Sequence, residues 1–182
     1  MIDFVTSKEL EDNNHLYVEI IKASSVKELI KKIDKQKGVV VVQGSSDSIN
    51  QFCVESKKVD ILLHPESERT KDFMKARDAG LNQVLAKEAA KNKVAIGISI
   101  YEILNTNQKE HMLGRIIQNI QVCRQYHVPM VLANFGKTKE ELRNKDELRS
   151  IGKVLEMSTK QIEEALHFKK KNLKDITLVK EK

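Results

Sequence analysis

Six short, continuously apolar runs constrain most strongly what this chain can fold into. They lie at Met1–Val5, Leu16–Ile21, Val39–Gln43, Val59–Leu63, Val94–Ile100 and Met130–Asn134, with a weaker one at Asp175–Val179. A strand with one wet face alternates apolar and polar residues, whereas a strand covered on both faces reads as an unbroken apolar run. Helical patterns fill the intervals. Ser25 is placed to cap Val26–Lys35, whose Val26, Leu29, Ile30 and Ile33 make one apolar stripe. A short helix is expected from Asp47 or Ser48 to Glu55, and another over Leu81–Lys91 with Leu81, Val84 and Leu85 inward. Gln108–Tyr126 carries Leu113, Ile116, Ile117, Ile120 and Cys123 on one face, with Arg115 opposite. Asp146–Glu156 and Thr159–Phe168 are the last helical patterns. Such alternation predicts an α/β fold with a largely parallel sheet, doubly wound or closed into a barrel.

Neither a Pro- or Gly-rich linker nor a fixed-period repeat divides the chain, so residues 1–182 read as one domain with a basic C-terminal segment over 169–182. An eight-stranded barrel ordinarily takes about 250 residues. With 182 residues, any barrel here is a small one.

The common catalytic signatures are absent. Each of the 7 glycines stands alone, so the Gly-rich dinucleotide fingerprint cannot be assembled. Gly136-Lys137-Thr138 follows a strand, but a phosphate-binding loop needs a glycine five residues earlier, where Val131 stands. The five histidines, His15, His64, His111, His127 and His167, form no metal-binding pair. His64-Pro65-Glu66 follows a strand and belongs at the C-terminal mouth of a barrel, where catalytic groups gather. Asp3 and Glu19 reach the same mouth if their strands align. One histidine with two remote carboxylates falls short of the three or four converging ligands that zinc requires. A metal-dependent phosphoesterase using His64, Asp3 and Glu19 is therefore the second reading, and no metal or catalytic residue is assigned to this chain.

Cys53 and Cys123 fall within helical patterns, which suits structural thiols in a reducing, cytoplasmic setting. No apolar run is long enough to span a bilayer, and the opening MIDFVTSKEL lacks the basic and apolar blocks of a signal peptide. No membrane partner is expected.

The formal net charge is +6, and its distribution says more than its sum. Lys22, Lys27, Lys31, Lys32, Lys35 and Lys37 face only Glu28 and Asp34 over residues 22–37. Residues 68–93 are also basic, and 169–182 hold six lysines against Asp175 and Glu181. Basic blocks of this kind attract polyanions through counterion release, although a single block is ordinarily just a solvated helix face.

One segment combines these features. In Ala76-Arg77-Asp78-Ala79-Gly80-Leu81-Asn82-Gln83-Val84-Leu85-Ala86-Lys87, Asp78 or Asn82 can cap the following helix. Lys87 and Lys91 are four apart and share a face, so with Arg77 they can grip a phosphate backbone. A mutual or local salt bridge of Arg77 and Asp78 that holds the turn is the structural alternative. This segment, leading into Val94-Ala95-Ile96-Gly97-Ile98-Ser99, resembles the archaeal and eukaryotic family of ribonuclease P protein component 3. Arg124-Gln125-Tyr126-His127-Val128-Pro129-Met130-Val131 is similar to that family's next helix end and strand. Leu142-Arg143-Asn144-Lys145-Asp146-Glu147-Leu148-Arg149-Ser150-Ile151-Gly152-Lys153-Val154-Leu155-Glu156-Met157 is similar to a third family region. Val59-Asp60-Ile61-Leu62-Leu63-His64-Pro65-Glu66 extends the likeness, which covers about residues 59–157 in order. Gln83 stands where the family has His, Ile98 where it has Phe and Lys145 where it has Pro. Extra residues separate Glu66 from Arg77.

The resemblance implies a small TIM-barrel-like fold, related to the polymerase and histidinol phosphatase barrels. Those phosphoesterases carry a His-x-His after their first strand, where this chain has Phe4-Val5-Thr6. It also implies a protein subunit of ribonuclease P, the RNA-based endoribonuclease that removes the 5′ leader of precursor tRNA. In that enzyme the RNA carries catalysis with magnesium, so this chain binds no cofactor of its own. The implied partners are the ribonuclease P RNA, precursor tRNA within the holoenzyme, protein component 2 and other protein subunits. Arg77, Lys87, Lys91, Arg115 and Arg143 are the candidate RNA contacts, Arg143 mainly through the resemblance. Arg115 reads equally as a solvated side chain.

Overall fold

A computed structural model describes residues 3–72, 74 and 76–168. The weak strand pattern at 175–179 and the basic segment 169–182 lie outside the described residues. Seven strands appear among them: β1 (Asp3–Val5), β2 (His15–Tyr17), β3 (Ile20–Ile21), β4 (Val41–Gln43), β5 (Ile61–Leu63), β6 (Ala95–Ser99) and β7 (Met130–Ala133). Every pairing is parallel, β1 with β2, and β3-β4-β5-β6-β7 in sequence order. The helices are α1 (Val26–Ile33), α2 (Asp47–Glu55), α3 (Gln83–Asn92), α4 (Ile100–Asn105), α5 (Lys109–Tyr126), α6 (Lys145–Val154) and α7 (Thr159–Leu166).

Backbone bonds join the two sheets into a ring. The run Leu16–Ile21 becomes one bent stave whose first half pairs with β1 and whose second half pairs with β4. Val18 N–H donates to Val5 O at 2.9 Å across the bend. On the other side, Phe135 N–H donates to Phe4 O at 2.7 Å and Thr6 N–H to Gly136 O at 2.9 Å, tying the end of β7 to β1. The result is a small barrel-like ring of six staves, β1, β2–β3, β4, β5, β6 and β7.

The ring explains why the strand runs are apolar throughout. Phe4, Val18, Val41, Ile61, Leu63, Ala95, Val131, Ala133 and Phe135 fill the inside. Val42, Leu62, Ile96, Ile98, Met130 and Leu132 point the other way, toward the helices. Successive residues of a strand face opposite sides, and here both sides are dry. Phe4 and Phe135 stack inside with ring centroids 5.7 Å apart.

Helix starts follow side-chain capping. Ser25, Ser46, Asn82, Ser99, Asn144 and Ser158 each accept a backbone N–H of the first turn. Two inward faces differ from the sequence reading. In α3 the buried residues are Ala86 and Ala89, Leu81 is buried just before it, and Val84 is 66% exposed. In α5 the buried stripe runs Arg115, Ile116, Asn119, Ile120 and Cys123, while Leu113 and Ile117 are only half-buried. Helical spacing selects that stripe, and its polar members are accepted because they have partners inside.

Candidate functional site

The loop after β5 begins at His64, whose φ is 47° and whose side chain is buried. Its Nε2 accepts the Ser99 N–H at 2.8 Å, so that nitrogen needs its lone pair. Its Nδ1 lies 2.6 Å from Glu66 Oε1, an arrangement that makes Nδ1–H the donor. Burial opposes the imidazolium, but Glu66 and Glu102 favour it and the His64 pKa is raised. In the neutral ring the Nδ1–H tautomer satisfies both contacts, since a proton on Nε2 would face the Ser99 N–H.

Two asparagines on helix stripes complete a buried polar knot. Asn119 Nδ2 donates to Glu66 Oε2 at 3.0 Å and to Ala79 O at 2.9 Å. Asn50 Nδ2 donates to Pro65 O at 2.8 Å and to Gly80 O at 3.2 Å, while its Oδ1 accepts Ser45 N–H at 3.1 Å. His64-Pro65-Glu66 and Ala79-Gly80 thus form one structure, the second pinned on the first by α2 and α5. Sequence reasoning missed Asn50 and Asn119. Their signal was a polar residue at an apolar-stripe position, beside Ile49 and Cys53 in one case and Ile116 and Ile120 in the other.

The intervening loop is held by charge. Arg115, placed by the sequence on the outer face of its helix, is instead buried. Its Nε bonds Asp72 Oδ1 at 2.9 Å and its Nη1 bonds Arg69 O at 2.5 Å. Arg69 meets Asp47 at 2.6 Å and Asp78 at 3.5 Å. Arg77 lies 3.7 Å from Asp72, so Arg77 and Asp78 each make a local salt bridge rather than a mutual one. The Arg77 guanidinium rests on Gly114, where a Cβ would push the Arg77 side chain aside. Replacing Arg115 with Met is expected to cost about 1.5–3 kcal/mol, the range for hydrogen bonds involving charged groups. Urea unfolding measures the loss, and limited trypsin digestion should show faster cutting in the loop 67–82. Unchanged stability would return Arg115 to the solvent-facing role.

The other basic candidates separate into two places. Lys87 and Lys91 stand exposed on α3, next to α5. Lys87 Nζ sits 5.5 Å from the Tyr126 ring centroid, and Lys91 pairs with Glu88 at 2.9 Å. Gln83, in the family's His position, accepts the Tyr126 hydroxyl at 3.2 Å. Arg77 belongs with this group through its contacts on α5 at Gly114 and Gln118. Arg143 lies apart, on the loop after β7, with its guanidinium donating to Glu140 O at 3.0 Å. Its backbone is fixed by Asn134, which also holds Asp3.

The phosphoesterase constellation does not assemble. Both nitrogens of His64 are bound within the knot. Asp3 Oδ1 accepts Phe4 N–H at 2.9 Å and Asn134 N–H at 3.0 Å, and its Oδ2 takes the Asn134 side chain. Burial raises the Asp3 pKa, while the Asn134 bonds oppose that shift. Glu19 is exposed and lies between β2 and β3. Burial pushes the Cys53 thiol up to about 12 and raises Cys123 as well, as inert structural thiols require. No helix among the described residues is long and apolar enough to cross a membrane.

Comparison with known proteins adds the decisive observation: the family described as RNase P subunit p30 matches residues 6–175. The chain belongs to this family. Among its relatives, ribonuclease P protein component 3 of Methanosarcina mazei is 33% identical over 140 residues, covering 76% of this chain and 55% of the relative. The Methanosarcina acetivorans protein is 32% identical over 145 residues, covering 79% and 57%. That of Methanothermobacter thermautotrophicus is 26% identical over 163 residues, covering 87% and 64%. The chain thus spans a little over half the length of its Methanosarcina relatives. Its fold is similar to a chain in a cryo-EM structure of archaeal ribonuclease P with mature tRNA. There the TM-score is 0.68 at 28% identity, covering 80% of this chain and 63% of that one. The small α/β barrel expected from the sequence is therefore the fold of an RNase P subunit p30 family member.

Proposed function

We propose that this chain acts as a protein subunit of ribonuclease P in the removal of the 5′ leader from precursor tRNA. The observation that carries the reading is the family match over residues 6–175. The protein works as one domain in the cytoplasm. It contacts the ribonuclease P RNA and, within the holoenzyme, precursor tRNA, and it pairs with protein component 2 and further subunits. Magnesium belongs to the catalytic RNA. Arg77, Lys87 and Lys91 offer one exposed basic surface for RNA and Arg143 a second, whereas Arg115 acts by fixing the loop that carries Arg77. The isolated chain is expected not to cleave RNA, since its one buried histidine serves the fold.

Reconstitution tests this. Precursor-tRNA cleavage is assembled from the ribonuclease P RNA and protein subunits of the same genome, with and without this chain. Omission should slow cleavage and raise the magnesium needed for half-maximal rate. An unchanged rate and an unchanged magnesium requirement would overturn the proposal.

A further inference from the structure

A broad depression lies at the end of the strands opposite the polar knot. It measures about 1600 Å³, beyond the roughly 300–1,000 Å³ of sites that enclose small molecules. Three successive turns build its rim. Lys57 and Lys58 precede β5, Lys91 and Lys93 precede β6, and Arg124 and His127 precede β7. Neighbouring strands sit about 4.8 Å apart, so the cations recur along the rim stave by stave. Left-handed C-caps at Lys93, φ 58°, and His127, φ 54°, end α3 and α5 abruptly and keep these turns short.

Six Lys and Arg side chains line this depression (Lys57, Lys58, Lys91, Lys93, Arg124 and Lys160) against four carboxylates, Asp34, Asp60, Glu163 and Glu164, so its charge is positive. Asp60 accepts the Val40 N–H at 2.8 Å. Asp34 is matched by Lys58 at 2.6 Å, Glu163 by Arg149 at 2.7 Å and Glu164 by Lys160 at 3.9 Å. Lys57 and Lys93 are exposed and make no ion pair among the described residues. Arg124 bonds only neutral acceptors, Gln161 Oε1 at 2.7 Å and the Glu156 carbonyl. The described chain ends at Phe168 on the groove wall, and the sequence continues with six lysines against Asp175 and Glu181.

We infer that this groove cradles an RNA backbone, with Lys57, Lys93 and Arg124 meeting phosphates and Lys91 joining it to the α3 surface. The inference rests on the ribonuclease P reading and says where the RNA lies. A protein partner fits the groove less well, because protein interfaces depend on exposed apolar anchors at their centre. Here Val59, Cys123, Val128 and Met130 beneath the rim are each 6% exposed or less.

The test measures binding of the full chain to labelled ribonuclease P RNA from the same genome, over about 50 to 200 mM salt. Lys57→Gln with Lys93→Gln should flatten the log–log salt slope by about two units, one per lost phosphate contact. At the low-salt end the affinity should fall about tenfold or more. Lys57→Arg with Lys93→Arg should keep the slope, as should Lys27→Gln with Lys31→Gln on α1. A wild-type slope in the Gln double variant overturns the groove alone. Wild-type protein that binds no RNA overturns the groove and the ribonuclease P reading together. Loss of co-purifying component 2 with an intact RNA slope would assign the groove to protein docking and refute the inference.

Discussion

Gly80→Ala should lower the stability of this protein by about 3–5 kcal/mol, among the largest effects a single methyl group can have. Gly80 has φ +69°, a conformation that costs a residue with a Cβ about 1–2 kcal/mol. The larger share is steric. A Cβ there would drive into the carbonyl of Pro65 and reach 3.0 Å from Asn50 Nδ2. Neither can move aside, because Asn50 Nδ2 bonds Pro65 O and Gly80 O simultaneously. At roughly 2–4 °C per kcal/mol for a chain of this size, the thermal midpoint should fall by about 6–20 °C. Gly38→Ala is the matched control: its φ is +86°, but nothing lies within 4 Å of the added carbon. Calorimetry of the two variants separates strain from collision. Equal shifts would mean that the seating of Gly80 on Pro65 is not tight.

Removing Glu66 should be comparably damaging. Glu66→Ala leaves the His64 Nδ1–H without an acceptor and takes one of the two acceptors from Asn119 Nδ2, all in a site with almost no water access. Breaking a buried, charge-assisted pair from one side costs about 3–5 kcal/mol. Glu66→Gln should lose less, since its one carbonyl oxygen still satisfies one of the two donors. Urea unfolding gives both values. The result also separates a structural His64–Glu66 pair from a catalytic one, because replacing a strained catalytic group commonly leaves stability unchanged or raises it. A more stable Glu66→Ala protein would reopen the hydrolase reading.

These predictions concern residues that the sequence brought to notice for other reasons. His64-Pro65-Glu66 stood out as a strand-end triplet and Arg77–Lys87 as a basic block, yet no spacing rule relates Glu66 to Ala79. Only the fold brings them together, through Asn50 and Asn119. The parallel strands were legible because two dry faces write continuous apolar runs. For the same reason α4 was hidden: Ile100, Ile103 and Leu104 extend the apolar run of β6, and only Ser99 with Glu102 marks a helix start. Arg115 was misplaced because a charged side chain between apolar neighbours looks solvated until Asp72, forty-three positions away, is known to face it. Of the basal-groove cations only Lys91 was singled out, because Lys57, Lys93 and Arg124 fall in three separate segments of the sequence. Their grouping is a property of the sheet order.

Closing the ring through β1 also sets an order of events during synthesis. The bonds that complete it join Thr6 to Gly136, residues 130 positions apart. Until Gly136 leaves the ribosome, β1 has β2 on one side and an open hydrogen-bonding edge on the other. At translation speeds of about 5–20 residues per second, that edge stays open for on the order of ten seconds. Of the seven described strands, the first to be made is thus the last to be fully paired, and a nascent chain stalled before Gly136 carries an edge suited to pairing with its neighbours.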